Sequence, residues 1–253
     1  YIADTLHSRI RQVGPDGTIR TLAGNGNNWV SGDGGPATNA AIGWPCHLAC
    51  DAAGNVIFSD SWNYRIRRID SGGIISTLAG NGGSAANGIP ATNSVLNGLS
   101  GLALGTDGTV YFSEKNINVV RCITPAGIIM AVAGSGAYDD ECRAVGDQQP
   151  APAGKLHYPF GLCVGSRDEL FIADNLHRRV RRVAAMFPGV GGSELLIPST
   201  DGAQIYVFAP DGRHKQTLHG LTGASLFTFQ YTNGLLAGVT DGDGNQTTIE
   251  RDV

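Results

Sequence analysis

Short hydrophobic runs, rich in β-branched and aromatic residues, recur along the chain with turn signals between them. One run ends in an acid in four places: YIAD (1–4), IFSD (57–60), YFSE (111–114) and FIAD (171–174). Short apolar runs bounded by Gly, Pro, Asn and Asp are typical of strands and tight turns. The 3.6-residue period of an amphipathic helix is not evident. The pattern therefore predicts an all-β chain.

These runs belong to a repeated unit, whose acids are spaced by 56, 54 and 60 residues. Each unit has up to four runs, which we label strands A to D in chain order, strand B being the run before the acid. Four short strands per repeat are typical of a β-propeller blade. The other runs are CHLACD, SGLALG and FGLCVG (A), RIRQV, RIRRI, VVRCI and RVRRV (C), and TLAG, TLAG and AVAG (D).

Strand B is apolar on both faces, whereas a sheet with one solvated face would alternate apolar and polar residues. One face carries a column of large residues, and the other carries a column of Ala or Ser. We therefore expect neighbouring sheets to cover both faces, with Phe58 and Phe112 buried between them. The large column is Ile2, Phe58, Phe112 and Ile172, and the small one is Ala3, Ser59, Ser113 and Ala173.

The acid that ends strand B and the first residue of strand C are separated by a four-residue loop. A hairpin of this length places them opposite each other, where opposite charges contribute about 0.2–1 kcal/mol. We predict structural ion pairs that set the hairpin register, Asp4 with Arg9, Asp60 with Arg65, and Asp174 with Arg179. A second arginine follows two residues later in all four units, at Arg11, Arg67, Arg121 and Arg181. A stripe that binds anions or RNA is the alternative.

Composition disfavours that alternative, because the net charge is −4 and only 16% of residues are charged, whereas nucleic-acid binding requires a basic surface. Glycine, at 37 of 253 residues, is about twice its usual 7% share and fits many tight turns. Apolar runs stay shorter than the ~20 residues that span a bilayer. The chain starts at Tyr1 within what looks like a unit, so we expect a longer protein.

The five cysteines do not settle the redox compartment. Cys46 and Cys50 share a face of one strand about 13 Å apart, too far for a disulfide. We interpret the cysteines as buried small hydrophobic residues. The others are Cys122, Cys142 and Cys163.

The repeats resemble NHL repeats, in which a strand ends in Asp, a short loop often carries Asn-His, and Arg-Ile-Arg follows. DTLHSRIR (4–11), DSWNYRIR (60–67) and DNLHRRVR (174–181) match, whereas EKNINVVR (114–121) lacks the first arginine. Residues 228–245, TFQYTNGLLAGVTDGDGN, resemble a YD repeat of teneurins and Rhs proteins. The resemblance implies a partial NHL-type β-propeller of about four four-stranded blades (1–190), running into the junction and first strands of a YD-repeat β-shell (191–253).

The resemblance further implies a non-enzymatic structural and recognition module of a secreted or cell-surface protein, extracellular when full-length. Strand direction places the long connections 25–43, 81–97 and 135–157 on one face of the propeller, and loops on rigid scaffolds often bind partners. We predict that this face binds a protein or glycan partner through Trp29, Trp62, Tyr64 and Tyr138. The rest of the YD shell is the other expected partner, and open blade faces predict self-association of the fragment.

The alternative is a metal-dependent propeller hydrolase or lyase, because NHL-type lyases hold a metal in the central channel. Such a site needs ligands that converge from several inner strands. His47 lies on strand A, but Gly101 and Gly161 occupy the equivalent positions. Nucleophile and phosphate-binding motifs are also missing from the sequence. We predict no catalytic residue, no metal and no cofactor, and an RNA-binding NHL module ranks third.

Overall fold

The structure is a computed structural model of the chain, and it describes residues 1–137, 147, 150–166, 169–183, 195–199, 203–209, 213–219, 224–232 and 234–250. The chain divides into two compact units, Tyr1–Ala184 and Ala185–Val253. The boundary predicted near residue 190 lies outside the described residues. Among those residues, no helix is long and apolar enough to cross a membrane.

The first unit contains four antiparallel sheets over the residues described, which confirms the all-β prediction. The second sheet is the simplest blade, because its four strands pair in chain order. The first and fourth sheets have three described strands each, and the third sheet gains a short strand, β8, from the preceding connection. The strands of the first and second sheets are β1 (Ile2–Asp4), β2 (Arg9–Val13), β3 (Ile19–Ala23), β4 (Pro45–Cys50), β5 (Val56–Asp60), β6 (Arg65–Ile69) and β7 (Ile75–Ala79).

The third sheet is ordered β8-β12-β11-β10-β9, and the fourth β13-β14-β15. Their strands are β8 (Ile89–Pro90), β9 (Leu99–Leu104), β10 (Val110–Glu114), β11 (Val119–Ile123), β12 (Ile128–Ala133), β13 (Pro159–Val164), β14 (Leu170–Asp174) and β15 (Arg179–Val183). Three-residue 3₁₀ turns follow two of the acids, at Thr5–His7 and Lys115–Ile117, and three more lie in the connections, at Ala37–Asn39, Ala91–Asn93 and Ala151–Ala153.

Neighbouring sheets cover both faces of strand B, as the two apolar columns predict. Phe58 of β5 is fully buried in one cluster with Ile10 and Ala23 of the first sheet. Phe112 of β10 is equally buried, against Ile57 of the second sheet. Complete burial of a phenylalanine side chain stabilises a fold by about 1.5–3 kcal/mol. The propeller-type stacking of these sheets is therefore the main hydrophobic core.

Parts of the first two long connections pack between sheets. Ala37 is buried with the cluster around Phe58, and Ala91 with the cluster around Phe112. The backbone of the first connection also pairs with the second sheet at Pro36 and Ile74. Small apolar residues thus draw part of each of the first two connections into the core, whereas Trp29 in the first stays exposed, and the prediction that the connections present a binding face stays a prediction.

The second unit is a separate antiparallel sheet of six strands in chain order. Ile205, Val207 and Leu218 are buried on one face. On the other face, the His214 ring stacks between Phe208 and Phe229, with centroids 4.9 and 4.2 Å away. The strands are β16 (Leu195–Pro198), β17 (Gln204–Phe208), β18 (His214–His219), β19 (Ser225–Thr232), β20 (Leu235–Asp241) and β21 (Gln246–Thr248).

Candidate functional site

The acids after strand B lie opposite the first arginine in backbone register, but their ion pairs are with other residues. Asp4 and Arg9, Asp60 and Arg65, and Asp174 and Arg179 are Cα partners. The ion pairs instead join Asp60 to Arg67 (3.5 Å), Glu114 to Arg121 (3.4 Å), Asp174 to Arg181 (3.5 Å) and to His177 (2.8 Å), and Asp4 to His7 (2.7 Å).

The predicted ion pairs are thus corrected to the second arginine in the second and fourth units and to His7 in the first, and the third unit, for which no pair was predicted, also uses its second arginine. A long arginine side chain reaches the acid diagonally across the two strands. The first arginine has other partners in the first two units. Arg65 donates to Asn81 Oδ1 at 2.7 Å, and Arg9 donates to the carbonyl of His7 at 3.2 Å.

Three of these acids, Asp60, Glu114 and Asp174, also hydrogen-bond to the connection that precedes their own sheet. Asp60 Oδ1 accepts from the backbone N–H of Gly43 at 2.7 Å and from Asn63 Nδ2 at 2.8 Å. Glu114 Oε1 accepts from the N–H of Asn97 at 2.6 Å, and Asp174 Oδ1 from that of His157 at 2.8 Å. In these three units the acid therefore holds the connection to its own sheet through a backbone hydrogen bond.

The second arginine holds the same connection by its carbonyl groups. Arg67 donates to the carbonyls of Ala41 (3.0 Å) and Ser31 (2.9 Å) and pairs with Asp33 at 2.7 Å. Arg121 donates to the Ala86 carbonyl and Arg181 to the Lys155 carbonyl, both at 3.0 Å. Because these guanidinium groups are committed within the fold, the structure does not offer them as an anion-binding stripe.

Burial is the largest influence on the pKa of two of these acids, Asp60 and Glu114. It raises the pKa of the Asp60 carboxyl, although the Gly43 N–H and the Arg67 charge oppose the shift. It likewise raises the pKa of Glu114, against the Asn97 N–H and Arg121. Taking a carboxylate out of water disfavours its charged form, and the surrounding donors offset only part of that cost.

The aromatic residues predicted to bind a partner are largely exposed where the structure describes them. Trp29 is 76% exposed, Trp62 49% and Tyr64 48%. Tyr138 lies outside the described residues. Their partner-binding role stays a prediction.

One aromatic residue, Trp44, was not singled out from the sequence. Its side chain is 44% exposed, and its ring centroid lies 4.7 Å from that of Trp62. The pair forms because the N–H of Trp62 donates to the carbonyl of Gly43 at 3.1 Å, which sets residue 44 beside the loop after β5. We call Trp44 and Trp62 the tryptophan pair. Trp44 directly precedes strand A, the position that Gly98 and Tyr158 occupy in later units. That position was the sequence signal by which Trp44 could have been identified.

The inner strands do not assemble a metal site in the part of the chain that is described, where no group of three or more His, Cys, Asp or Glu side chains is placed to hold a metal. His47 packs edge-on against Phe160, with centroids 5.7 Å apart. Burial, and then the Lys115 charge, lower the pKa of His47.

Three of the cysteines differ from the buried residues we expected, and one agrees. Cys46, Cys50 and Cys163 are exposed thiols, and Cys122 is buried. The exposed three all lie on inner strands, β4 and β13, whereas Cys122 lies within the third sheet on β11. Cys142 lies outside the described residues.

Solved structures share this fold at low sequence identity. A structural genomics protein of unknown function from Bacteroides thetaiotaomicron matches 70% of this chain and 42% of its own, with a TM-score of 0.53 and 15% identity. An auxiliary nutrient binding protein from the same organism matches 70% and 43%, with a TM-score of 0.51 and 13% identity.

Sequence comparisons point to one group of proteins, whereas the solved structures show only the fold. Residues 192–253 match the Teneurin YD-shell family. Teneurin-3 of Danio rerio is 28% identical over 96% of this chain, and Teneurin-m of Drosophila melanogaster is 28% identical over 100% of it. The chain spans about a tenth of the length of each. The chain is therefore similar to teneurins over nearly all of its length, and its residues 192–253 are similar to the YD-shell part of that family.

Proposed function

We propose that the chain is a non-enzymatic structural and recognition module of a teneurin-like protein at the cell surface. Its structural role is to join stacked propeller sheets to the first strands of the shell. Its recognition role is to present the tryptophan pair and Trp29 to an extracellular protein or glycan. The similarity to teneurins over 96% of the chain supports the setting.

The observation that carries the recognition role is the exposure of the tryptophan pair. Two large rings in contact, each close to half exposed, leave apolar area in water that a partner could cover. Tryptophan is enriched among the residues that contribute most to binding energy. The arginines, by contrast, are held by the connections, which argues against nucleic acid as the partner.

The recognition role can be tested with substitutions that the repeat itself supplies. Trp44→Gly and Trp62→Asn place on the second unit the residues that the third unit has at Gly98 and Asn116. The fluorescently labelled chain would be titrated onto intact animal cells, with and without prior glycosidase treatment. We expect the double variant to bind at least about tenfold more weakly, the loss of one or two hot-spot contacts.

The matched control is Leu6→Asn, which makes the same kind of change at the equivalent loop position of the first unit, where Leu6 is 84% exposed. It should leave binding unchanged. Loss of binding after glycosidase treatment identifies a glycan, and retention identifies a protein. Equal binding by the double variant and the unmodified chain would refute the proposal.

We propose two further partners, the rest of the YD shell and a second copy of this chain. Ile2 of the first sheet is 46% exposed, and Val180 of the fourth sheet is 74% exposed. Exposed apolar faces of sheets favour association. Light scattering after size exclusion should show a mass above the 26.3 kDa of one chain, and a monomer at all concentrations would oppose self-association.

A further inference from the structure

The third unit departs from the repeat at three positions of strands C and D and the loop between strands B and C. In each case a polar residue of the other units is replaced by an apolar one. Ile117 stands where the others have His7, Asn63 and His177; Val119 where they have Arg9, Arg65 and Arg179; and Ala131 where the first two have Thr21 and Thr77.

All three replacements line one pocket. It has a volume of about 570 Å³ and lies between the second and third sheets beside the connection 81–97. Ala85, Val95 and Leu96 of the connection complete its apolar wall. Departures that are scattered in the sequence therefore converge on a single space.

A fourth departure reaches the same pocket from the second unit. Tyr64 lines it and has a left-handed backbone, with φ of +52°. The equivalent residues are Ser8, Asn118 and Arg178, which share that conformation. The backbone conformation is thus common to the four units, and what differs in the second unit is the aromatic side chain that it presents to the pocket.

The other units show what the third has lost. Arg65 extends from the start of β6 to Asn81, with Nη2 2.7 Å from Oδ1. In the third unit Val119 replaces that arginine and Ser135 replaces that asparagine. The short side chain of Val119 leaves open the space that the arginine side chain would occupy, and it carries no charge.

The two charged residues that line the pocket compensate each other. Glu114 and Arg121 line it, and they pair at 3.4 Å. Glu114 also accepts from the Asn97 N–H, and Arg121 donates to the Ala86 carbonyl. An ion would find no counter-charge here, whereas an uncharged ligand would meet a largely apolar wall and the amides of Asn87 and Asn97.

We propose that this pocket binds a neutral, largely apolar small molecule, an activity separate from partner binding through the tryptophan pair. Its volume lies within the roughly 300–1,000 Å³ of small-molecule sites, which combine apolar walls with a few polar groups. Because the ligand is unidentified, indole serves as the probe, being neutral and aromatic with one hydrogen-bond donor.

The test is a titration of the methyl-labelled full chain with indole, followed by NMR at the methyl groups of Ile117, Val119, Val95 and Leu96. We expect saturable shifts at these methyls, with a dissociation constant of about 1 mM or tighter. Val119→Arg restores the arginine of the other units and should weaken binding at least about tenfold. Ala131→Thr, a milder restoration, should weaken it by less.

Val13→Arg is the control, because it adds the same charge at a strand position that is 49% exposed and outside the pocket. It should bind indole as the unmodified chain does. If no methyl of the pocket responds, or if Val119→Arg binds equally well while remaining folded by circular dichroism, the proposal is wrong. Trp44→Gly with Trp62→Asn should bind indole normally, so failure of one proposal does not imply failure of the other.

Discussion

Asp60 and Arg67 form a fully buried ion pair in which Oδ2 of the acid lies 3.5 Å from Nη1 of the arginine, although Arg65 is the residue directly opposite Asp60. The pair sits beneath the connection 25–44, which it holds through Gly43, Ala41 and Ser31. Its purpose is therefore to fix one sheet to the chain segment that arrives from the previous sheet.

Removing the buried arginine should be far more costly than removing the first arginine of the same strand. Arg67→Ala leaves Asp60 buried without its counter-charge and frees two carbonyls, so the unfolding free energy should fall by about 3–5 kcal/mol. Arg65→Ala should change it by about 0–1 kcal/mol, as for other surface pairs. Urea denaturation followed by circular dichroism measures both, and similar losses would contradict the diagonal pairing.

The stability should also depend on pH through Glu114. Burial raises its pKa in the folded state above the ordinary 4.5. Between that value and the raised folded pKa, the folded chain keeps a proton that the unfolded chain has lost, so the contribution of Glu114 to the unfolding free energy falls as pH rises.

Glu114→Gln cannot titrate and isolates this effect. The unfolding free energy of the unmodified chain minus that of the variant should be largest below pH 4.5 and should decrease as the pH rises through the raised folded pKa. Asp16→Asn is the control, because that exposed acid has a pKa lowered below the ordinary 3.8, so its contribution is lost only at more acidic pH and should stay nearly flat from pH 4.5 to neutrality. A difference for Glu114→Gln that is flat with pH would show that its carboxyl is not desolvated.

Much of this fold could be predicted from the sequence because it rests on local periodicity. The column that contains Phe58 and Phe112, and the backbone register of Asp60 with Arg65, follow from two-residue alternation and a fixed loop length. The burial of Ala37 between two sheets could not be predicted, because it depends on tertiary contacts that leave no periodic signal in the sequence.

The candidate site was less predictable for a related reason. Exposure of Trp29 and Trp62 was expected from their place in loops, but the contact of Trp62 with Trp44 depends on the hydrogen bond between Trp62 and Gly43. The choice of Arg67 over Arg65 as partner of Asp60 likewise depends on carbonyls supplied by a distant segment. Side-chain partners across the fold are set by three-dimensional proximity rather than by spacing.

The glycine after strand D should not tolerate a side chain. Gly80 has φ of +93°, and a Cβ there would collide with the carbonyl oxygen of Tyr64. Gly80→Ala should therefore lower the unfolding free energy by about 1–3 kcal/mol. Gly83→Ala is the control, since no atom lies within 4 Å of its Cβ position, and it should change stability by less than about 1 kcal/mol. Equal tolerance at both positions, measured by urea denaturation, would contradict the close approach at Gly80.

Thiol reactivity should separate the described cysteines into two classes. Cys46, Cys50 and Cys163 are exposed, whereas burial raises the pKa of Cys122 to about 11. Because the thiolate is the reactive form, Cys122 is both shielded and about a thousandth ionised at pH 8. Iodoacetamide at that pH, followed by peptide mass spectrometry, should modify the three exposed thiols in the folded chain, Cys50 more slowly because burial raises its pKa, and Cys122 only after denaturation. Rapid labelling of Cys122 in the folded chain would mean that the third sheet opens locally, against the tight packing around Phe112.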